Sequence, residues 1–600
     1  MGFVRSFGLA LCASILFLAV STCGQGDRLV EKEIHLPLDP RYADTPLVDP
    51  PKRIAGYFRL NRTHDARMFY FFFQSRNAPK ADPLVLWMTG GPGCSSEIAI
   101  FYENGPYFIN NDTRTLTETK YGWDTLHNMI FVDQPIGTGF SYSDDWRDRV
   151  YNEVVVGEDM LDFLYAFYSA HPELLENDFF VTGESYAGHY VPAVSSAIYR
   201  ANELGQGPFT IPLRGLAIGN GMTAPSLQFP AYAEYALQNG IISKGLHDSI
   251  QFWMPMCRWG AEFCDSHQWR AACALALQVC QLVSFDRILA ANPGINVYDI
   301  TKTCDGPLCY DMSAADEFLN RADVRAELGV GERRWEECNM GVNGDFLGDW
   351  LRSYDKLLPA LLDDGIRVMI YAGDLDLICN WVGNERWVNA LEWEQSEGWP
   401  QVWPQEWQVA GAAAGTVREL GPLSFVRVYQ ARAQAALGAL CQGSDDLLCV
   451  RDPGDTSGGH MVPMDQPRAA LQMLTLFTRG KSLSSTLGDL DERLRARLER
   501  GGRTGTQAGS QVGPQGQQVE AEELLQQQQL QQQEAAQLED KARHGAGAGR
   551  REETYRRDKY GEAGAGAAAG TDVDAVAVKG VLGRHGIREP LRDDEGFETS

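Results

Sequence analysis

Short apolar runs rich in β-branched and aromatic residues recur along the first part of the chain. Each is bounded by Gly, Pro, Asn or Asp, and together they predict strands: MFYFFFQS (68–75), PLVLWMT (83–89), NMIFVDQP (128–135), DFFVTG (178–183) and LRGLAIGNG (213–221). Between them, apolar residues at helical spacing predict helices over 156–169 and 186–203. This alternation over 53–221 predicts an α/β fold with a mostly parallel central sheet and helices on both faces. From 222 to 340 the rhythm is lost; the pattern is helical and cysteines cluster, which reads as an inserted helical, disulfide-rich subdomain over the sheet edge. The rhythm returns over 341–480, with a helix in LRSYDKLLPALLDD (351–364), strands RVMIYAG (367–373) and SFVRVYQ (424–430), and a helix in QPRAALQMLTLFTRG (466–480). Residues 481–600 turn rich in Gly, Gln and Ala. Such a composition offers too little apolar surface to offset the entropy of ordering, so a disordered low-complexity tail is expected.

The first residues change the picture of where the chain folds. Arg5 precedes an apolar run over 7–20 and then small residues, the pattern of a secretory signal peptide over 1–23, with an N-terminal segment following over 24–52. The run is short for a bilayer span of ~20 residues, and no later segment reads as long and apolar enough to cross a membrane. A lumenal protein without a membrane span after signal removal is therefore expected. Cysteine usage agrees: Cys257, Cys264, Cys273 and Cys280 cluster, with Cys304 and Cys309 close behind, and in an oxidising compartment such clusters read as disulfides. Zinc is the competing reading, disfavoured because no tight Cys-x-x-Cys pair occurs. No metal and no cofactor is expected. Sequons at Asn61 and Asn111 are compatible with glycosylation. A formal charge of -27 argues against a nucleic-acid partner, which needs basic patches.

The candidate chemistry centres on VTGESYAGHY (181–190). Ser185 follows a predicted strand and precedes a predicted helix, the setting of a nucleophile elbow, although Ala187 stands where the last glycine of that motif is usual. A serine needs a base, and the base an orienting acid, in the chain order Ser, Asp, His, each in a loop after a later strand. AGDLDLICNW offers Asp374 and Asp376, and GGHMVPMDQP offers His460. The glycines of WMTGGPGCSS let backbone N–H groups approach a substrate oxygen, so the N–H groups of Gly91 and Tyr186 are the candidate oxyanion hole.

WMTGGPGCSS, FYENGP, DQPIGTGFSY, GESYAGHYVP, LAIGNG, AGDLDLICNW and GHMVPMDQP, in this order, resemble the serine carboxypeptidase family, in particular plant-type members similar to carboxypeptidase Y. The resemblance covers roughly 53–477. It implies an α/β-hydrolase fold and release of single amino acids from the C-termini of peptides and proteins, best at acidic pH. It implies the triad Ser185, Asp376 and His460, selecting Asp376 over Asp374. It places Trp87, Thr89, Glu103 and Glu184 around the substrate carboxylate, where burial and neighbouring carboxylates would keep glutamates neutral and able to donate. Thr89 departs from carboxypeptidase Y, which has asparagine there. Cys379, as a free thiol, and Met461 would line the pocket for the leaving residue. The family's pairing implies disulfides Cys94–Cys338, Cys257–Cys280, Cys264–Cys273 and Cys304–Cys309. A vacuole-like or lysosome-like lumen, or secretion, suits such an enzyme. The competing activity on this scaffold is acyl transfer from a sugar ester, which Glu184 and Glu103 argue against, since relatives of that kind often have GDSY in place of GESY. One stretch, 431–457, separates the strand from His460 where relatives run almost directly on, and it holds Cys441 and Cys449. It reads either as a surface insertion, with those two cysteines bridged, or as an untranslated segment kept in the protein sequence. In both readings it lies outside the hydrolase core and His460 returns beside Ser185.

Overall fold

The computed structural model describes residues 29–39, 51–429 apart from 268, 305 and 307, and 459–485. The expected signal peptide, Cys441, Cys449, the rest of 431–457 and the tail beyond 485 lie outside the described residues.

Strands β1 (Leu29–Glu33), β2 (Arg53–Arg59) and β3 (Arg67–Phe73) open the chain, followed by β4 (Leu84–Met88), helix α1 (Glu97–Tyr102) and a small pair, β5 (Tyr107–Ile109) with β6 (Leu116–Glu118). Then come β7 (Asn128–Val132), α2 (Glu153–Ala170), β8 (Phe179–Glu184), α3 (Ala187–Glu203) and β9 (Leu213–Gly219). Helices α4 (Pro225–Gln238), α5 (Lys244–Ser266), α6 (Arg270–Val283), α7 (Phe285–Ala291), α8 (Ser313–Leu319), α9 (Ala322–Leu328) and α10 (Met340–Asp345) fill the helical stretch. The chain continues with α11 (Leu358–Asp363), β10 (Arg367–Gly373), α12 (Trp381–Asn389), β11 (Gln405–Val409), β12 (Ala412–Leu420), β13 (Leu423–Val428), α13 (Val462–Asp465) and α14 (Pro467–Thr478).

Eleven of the described strands form one sheet, in the order β1-β2-β3-β7-β4-β8-β9-β10-β13-β12-β11. Its centre, from β7 through β4, β8, β9 and β10 to β13, is parallel. Parallel strands covered by helices on both faces are apolar at every position, and LVLWM of β4 is buried throughout. The pleat divides it: Leu84, Leu86 and Met88 enter the core under α2 and α3, while Val85 and Trp87 enter the opposite core with α1 and α14.

Three features depart from the sequence reading. Both flanks of the sheet are antiparallel, β1-β2-β3-β7 on one side and β13-β12-β11 on the other. Strands β11 and β12 carry little β signal of their own, and hydrogen-bonded pairing onto β13 makes them strands. The helix expected over 351–364 is confined to a 3₁₀ turn, Asp355–Leu357, and α11. There the Tyr354 N–H donates to the Thr223 carbonyl at 2.9 Å and its hydroxyl donates to Asp349 at 3.0 Å, drawing the preceding residues off a helical path. Finally, 270–291 is long and apolar enough to cross a membrane by length and composition, contrary to the expectation that no such segment follows the signal. It is two helices, broken at Ser284, and Cys273 and Cys280 bond it to Cys264 and Cys257 of α5. Two further disulfides join Cys94 to Cys338 and Cys304 to Cys309.

Candidate active site

Strand β8 ends at Glu184 and α3 begins at Ala187, so Ser185 occupies a turn of minimal length between them. Its φ is +66°, a backbone conformation that side chains other than glycine adopt at a cost. Neighbouring elements hold it there. The Ser185 N–H donates to the Gly219 carbonyl at the end of β9, and the Ser185 carbonyl accepts from the Met222 and Gly188 N–H groups, all at 3.0 Å. The glycine-rich turn after β4 closes over this elbow. A Cβ at Gly90 would lie 2.5 Å from the Tyr186 nitrogen and 2.9 Å from Ser185 Cβ, so only glycine fits. The turn is braced from its far side by the Cys94–Cys338 disulfide and by hydrogen bonds from Ser95 N–H to Glu337 O at 2.9 Å and Asn339 N–H to Gly93 O at 2.8 Å. Gly91 and Tyr186, the expected oxyanion donors, thus flank one contact.

Asp376 and His460 are brought together from distant parts of the chain, with His460 Nδ1 2.8 Å from Asp376 Oδ2. An ionised carboxylate only accepts, so Nδ1 carries the hydrogen and Nε2 is left as the acceptor. Asp376 is fully buried, and its oxygens also accept from Asn220 Nδ2 at 2.7 Å and from the N–H groups of Ile378 and Cys379 at 2.9 and 3.2 Å. Asp374, the other candidate, points elsewhere, its carboxylate 3.6 Å from Arg427. Asn220 is a residue the sequence reading missed as a site residue. Its side chain also accepts from the Gly373 N–H at 3.1 Å, locking the ends of β9 and β10 together beneath Asp376. The signal was available in the GNG that closes LAIGNG, read there only as a strand end.

Glu184 is buried beside Ser185, and its Oε2 and that of Glu103 have no hydrogen-bond partner among the described residues. Burial, reinforced by the charge of Asp465, pushes the Glu103 carboxyl up to about 8. Burial raises Glu184 well above the ordinary range, with the charges of Glu103, Asp376 and Asp465 adding to it. Trp87 and Thr89 form a chain rather than two independent donors. The Trp87 indole N–H donates to Thr89 Oγ1 at 3.0 Å, which leaves the threonine hydroxyl hydrogen to serve a ligand.

Cys379 is a buried free thiol, and burial, then the Asp376 and Glu184 charges, push its pKa up. Met461 is buried next to His460 in sequence. Among the described residues, the donor atoms of Asp376, Cys379 and His460 lie within 4.8 Å of one another. Asp376 already serves four hydrogens and the thiol is held protonated, so this set is built as a hydrogen-bonded assembly rather than for an ion. Asn61 and Asn111, the two sequon asparagines, are exposed.

A family model described as serine carboxypeptidase matches residues 44–436. The chain belongs to the serine carboxypeptidase family. It is 45% identical over 438 residues to serine carboxypeptidase 3 of Oryza sativa subsp. japonica, covering 73% of this chain and 81% of that one. It is 46% identical over 427 residues to serine carboxypeptidase 3 of Hordeum vulgare, covering 71% and 78%. Against carboxypeptidase Y homolog A of Trichophyton rubrum it is 36% identical over 451 residues, covering 72% and 76%. Among solved structures, it superposes on a prohormone-processing carboxypeptidase from Saccharomyces cerevisiae with a TM-score of 0.61 at 24% identity, covering 74% of this chain and 97% of that one. That likeness supports the α/β-hydrolase fold. The family match stops before His460, which the structure places against Asp376.

Proposed function

We propose that this serine carboxypeptidase releases single amino acids from the C-termini of peptides and proteins, with Ser185, His460 and Asp376 as its triad. Ser185 Oγ attacks the carbonyl of the last peptide bond as His460 Nε2 takes its proton. The N–H groups of Gly91 and Tyr186 stabilise the oxygen that becomes negative. His460 then gives its proton to the leaving amine, the C–N bond breaks, and the free amino acid departs. Water, deprotonated by His460, cleaves the resulting Ser185 ester and restores both groups. Asp376 keeps the imidazole oriented and stabilises its charged form.

The observation that carries the exopeptidase reading is the glutamate pair. Two carboxyls raised by burial stand beside the elbow with enclosed, unpartnered oxygens. As neutral acids they can donate to a terminal carboxylate, which ionised glutamates would repel. The Thr89 hydroxyl, primed by Trp87, supplies a further donor, and Cys379 and Met461 line the site of the leaving residue. This arrangement works while the pair is protonated, which fits an acidic lumen, and four disulfides fit the secretory route to it.

The test uses a blocked dipeptide at pH 5, its C-terminal amide, and a sugar ester with an acceptor alcohol. The parent is expected to hydrolyse the acid and prefer it to the amide, and Ser185→Ala to lose at least ~10⁴-fold in kcat while folding normally. Near-parental turnover by Ser185→Ala would refute the triad. Efficient transfer from the sugar ester with no peptide hydrolysis would replace peptidase by acyltransferase.

A further inference from the structure

His460 follows the end of β13 only after a long stretch of sequence. Strand β13 ends at Val428, and the described chain resumes at Gly459. The backbone around His460 is instead fixed from outside. The His460 N–H donates to the Tyr298 carbonyl at 2.8 Å, and the Gly459 N–H donates to Asp465 Oδ2 at 2.9 Å. The fit is tight: a Cβ on Gly459 would lie 2.7 Å from that carboxylate oxygen and 2.8 Å from the Tyr298 carbonyl.

One cation links Asp465 to the residue that follows Tyr298. Lys302 Nζ lies 3.0 Å from Asp299 Oδ2 and 3.5 Å from Asp465 Oδ1. Both carboxylates are buried, whereas the lysine reaches in from a partly exposed position. Asp299 is the neighbour of Tyr298, and its Oδ1 accepts from the Thr301 N–H and hydroxyl at 3.0 and 2.6 Å, which stiffens the loop. The same loop grips the acid. The Val297 carbonyl accepts from the Leu377 and Ile378 N–H groups at 3.0 and 3.1 Å, and the Ile300 N–H donates to the Leu375 carbonyl at 3.1 Å. Residues 297–302 therefore hold the chain on both sides of Asp376, the His460 N–H and, through Lys302, the carboxylate that anchors Gly459.

We propose that Lys302 and Asp465 are positioning residues for the hydrolysis, a clamp that fixes His460 against Asp376 across the long connection that precedes it. This rests on His460 being the base of the proposed reaction. Without the ammonium, two buried carboxylates lose their shared counter-charge, and breaking such a pair from one side is strongly unfavourable. Asp465 then releases Gly459, and the imidazole loses its fixed approach to the serine. A displacement of about 1 Å at a reacting group costs ~10²-fold in rate. Substrate binding uses other side chains and is read at pH 5, where burial keeps Glu103 protonated with or without the charge of Asp465.

The experiment compares full-length parent, Lys302→Met, Lys302→Arg and Asp465→Asn. It measures kcat and KM on the blocked dipeptide at pH 5 and the rate of Ser185 labelling by a fluorophosphonate. Lys302→Met is expected to lose on the order of 10- to 100-fold in kcat and in labelling rate, with KM within about twofold. Lys302→Arg keeps the charge and is expected to recover most of that loss, which a purely structural role would not separate. If Lys302→Met fails to accumulate as folded protein, the near-isosteric Asp465→Asn is judged by the same criteria. A folded neutral variant with kcat within threefold of the parent overturns the clamp. Ser185→Ala that keeps turning over would instead overturn the underlying reading of the site, so the two failures are distinguishable.

Discussion

The proposed nucleophile and the proposed base of this site are held in opposite ways. Ser185 sits between two contiguous elements, β8 and α3, and the backbone contacts that fix it come from the adjoining β9 end and the turn after β4. His460 sits far along the chain from the elements that hold it, and its place is set by Asp376 and by a loop at 297–302. The first arm is written locally, as strand, tight turn and helix. The second is a convergence of segments that share no local pattern, so its integrity depends on individual long-range contacts.

Breaking the second arm is expected to have the largest effect. In Asp376→Asn the amide has one oxygen for the hydrogens the carboxylate now accepts, from His460, Asn220, Ile378 and Cys379. The imidazole is then driven to the wrong tautomer. We expect kcat on the blocked dipeptide to fall by about 10⁴-fold. A fall under tenfold in a folded variant would mean that Asp376 does not orient the base.

Breaking the first arm should cost less, because only one donor is displaced. Gly90→Ala places a methyl 2.5 Å from the Tyr186 nitrogen. That methyl must push the elbow or cover the N–H proposed to receive the oxyanion, for an expected loss of about 10²–10³-fold in kcat. The same substitution should also lower the thermal midpoint, since the added methyl meets buried backbone at Tyr186 and Glu184. Parental kcat would remove Tyr186 from the oxyanion hole.

The two arms also differ in how far they were legible in the sequence. Ser185 announced itself through DFFVT before it and helical spacing after it. The parallel centre of the sheet was equally legible, because strands buried on both faces are continuously apolar. The base arm was not. Asp374 and Asp376 stand two positions apart, and nothing in DLDLICNW says which of them meets His460; the family resemblance selected Asp376, and the 2.8 Å contact accounts for it. Asn220, Tyr298 and Lys302 act on partners more than 150 residues away, Asp465 acts on the backbone just before His460, and none of the four was singled out. The β11–β12 hairpin was missed for a related reason. QEWQV and AAAGTVREL are polar or alanine-rich, and it is pairing with β13 that extends the sheet through them.

A smaller effect tests the glutamates that lie between the arms. Neutral Glu184 donates only while protonated, whereas glutamine donates at any pH. Glu184→Gln is therefore expected to keep its preference for the peptide acid over the peptide amide as pH rises through 8 to 9, where the parent, with Glu103 half ionised near pH 8, loses about tenfold of that preference. The readout is kcat/KM for both substrates from pH 5 to 9. Parallel curves for parent and variant would exclude the role.

The smallest expected effect is on stability, and its sign follows from the same pair. Glu103 has an ordinary carboxyl value of 4.5 and is pushed up to about 8 in the folded protein, chiefly by burial. Between those limits the folded protein holds a proton that the unfolded chain has released, so stability is greatest below 4.5 and falls as pH rises toward 8. Two buried histidines work in the opposite direction. His127 and His189 are lowered by burial from 6.5 to about 3 and about 4, so their contribution to stability grows as pH rises to 6.5 and is then constant. Above 6.5, therefore, the carboxyls act without that compensation. The Asp349 carboxyl, raised to about 6 mainly by burial, has lost most of its dependence by then. The parent is expected to have a Tm about 2 °C lower at pH 8 than at pH 6.5 on account of the pair. Glu103→Gln removes one titrating partner and relieves Glu184 of its charge, so the variant's Tm should change less over the same interval. Differential scanning calorimetry of both proteins checks this, since every other titrating group is common to them. An identical pH dependence in parent and variant would show that the Glu103 carboxyl is ionised throughout, and that the carboxylate-binding side of the site does not work by holding a proton.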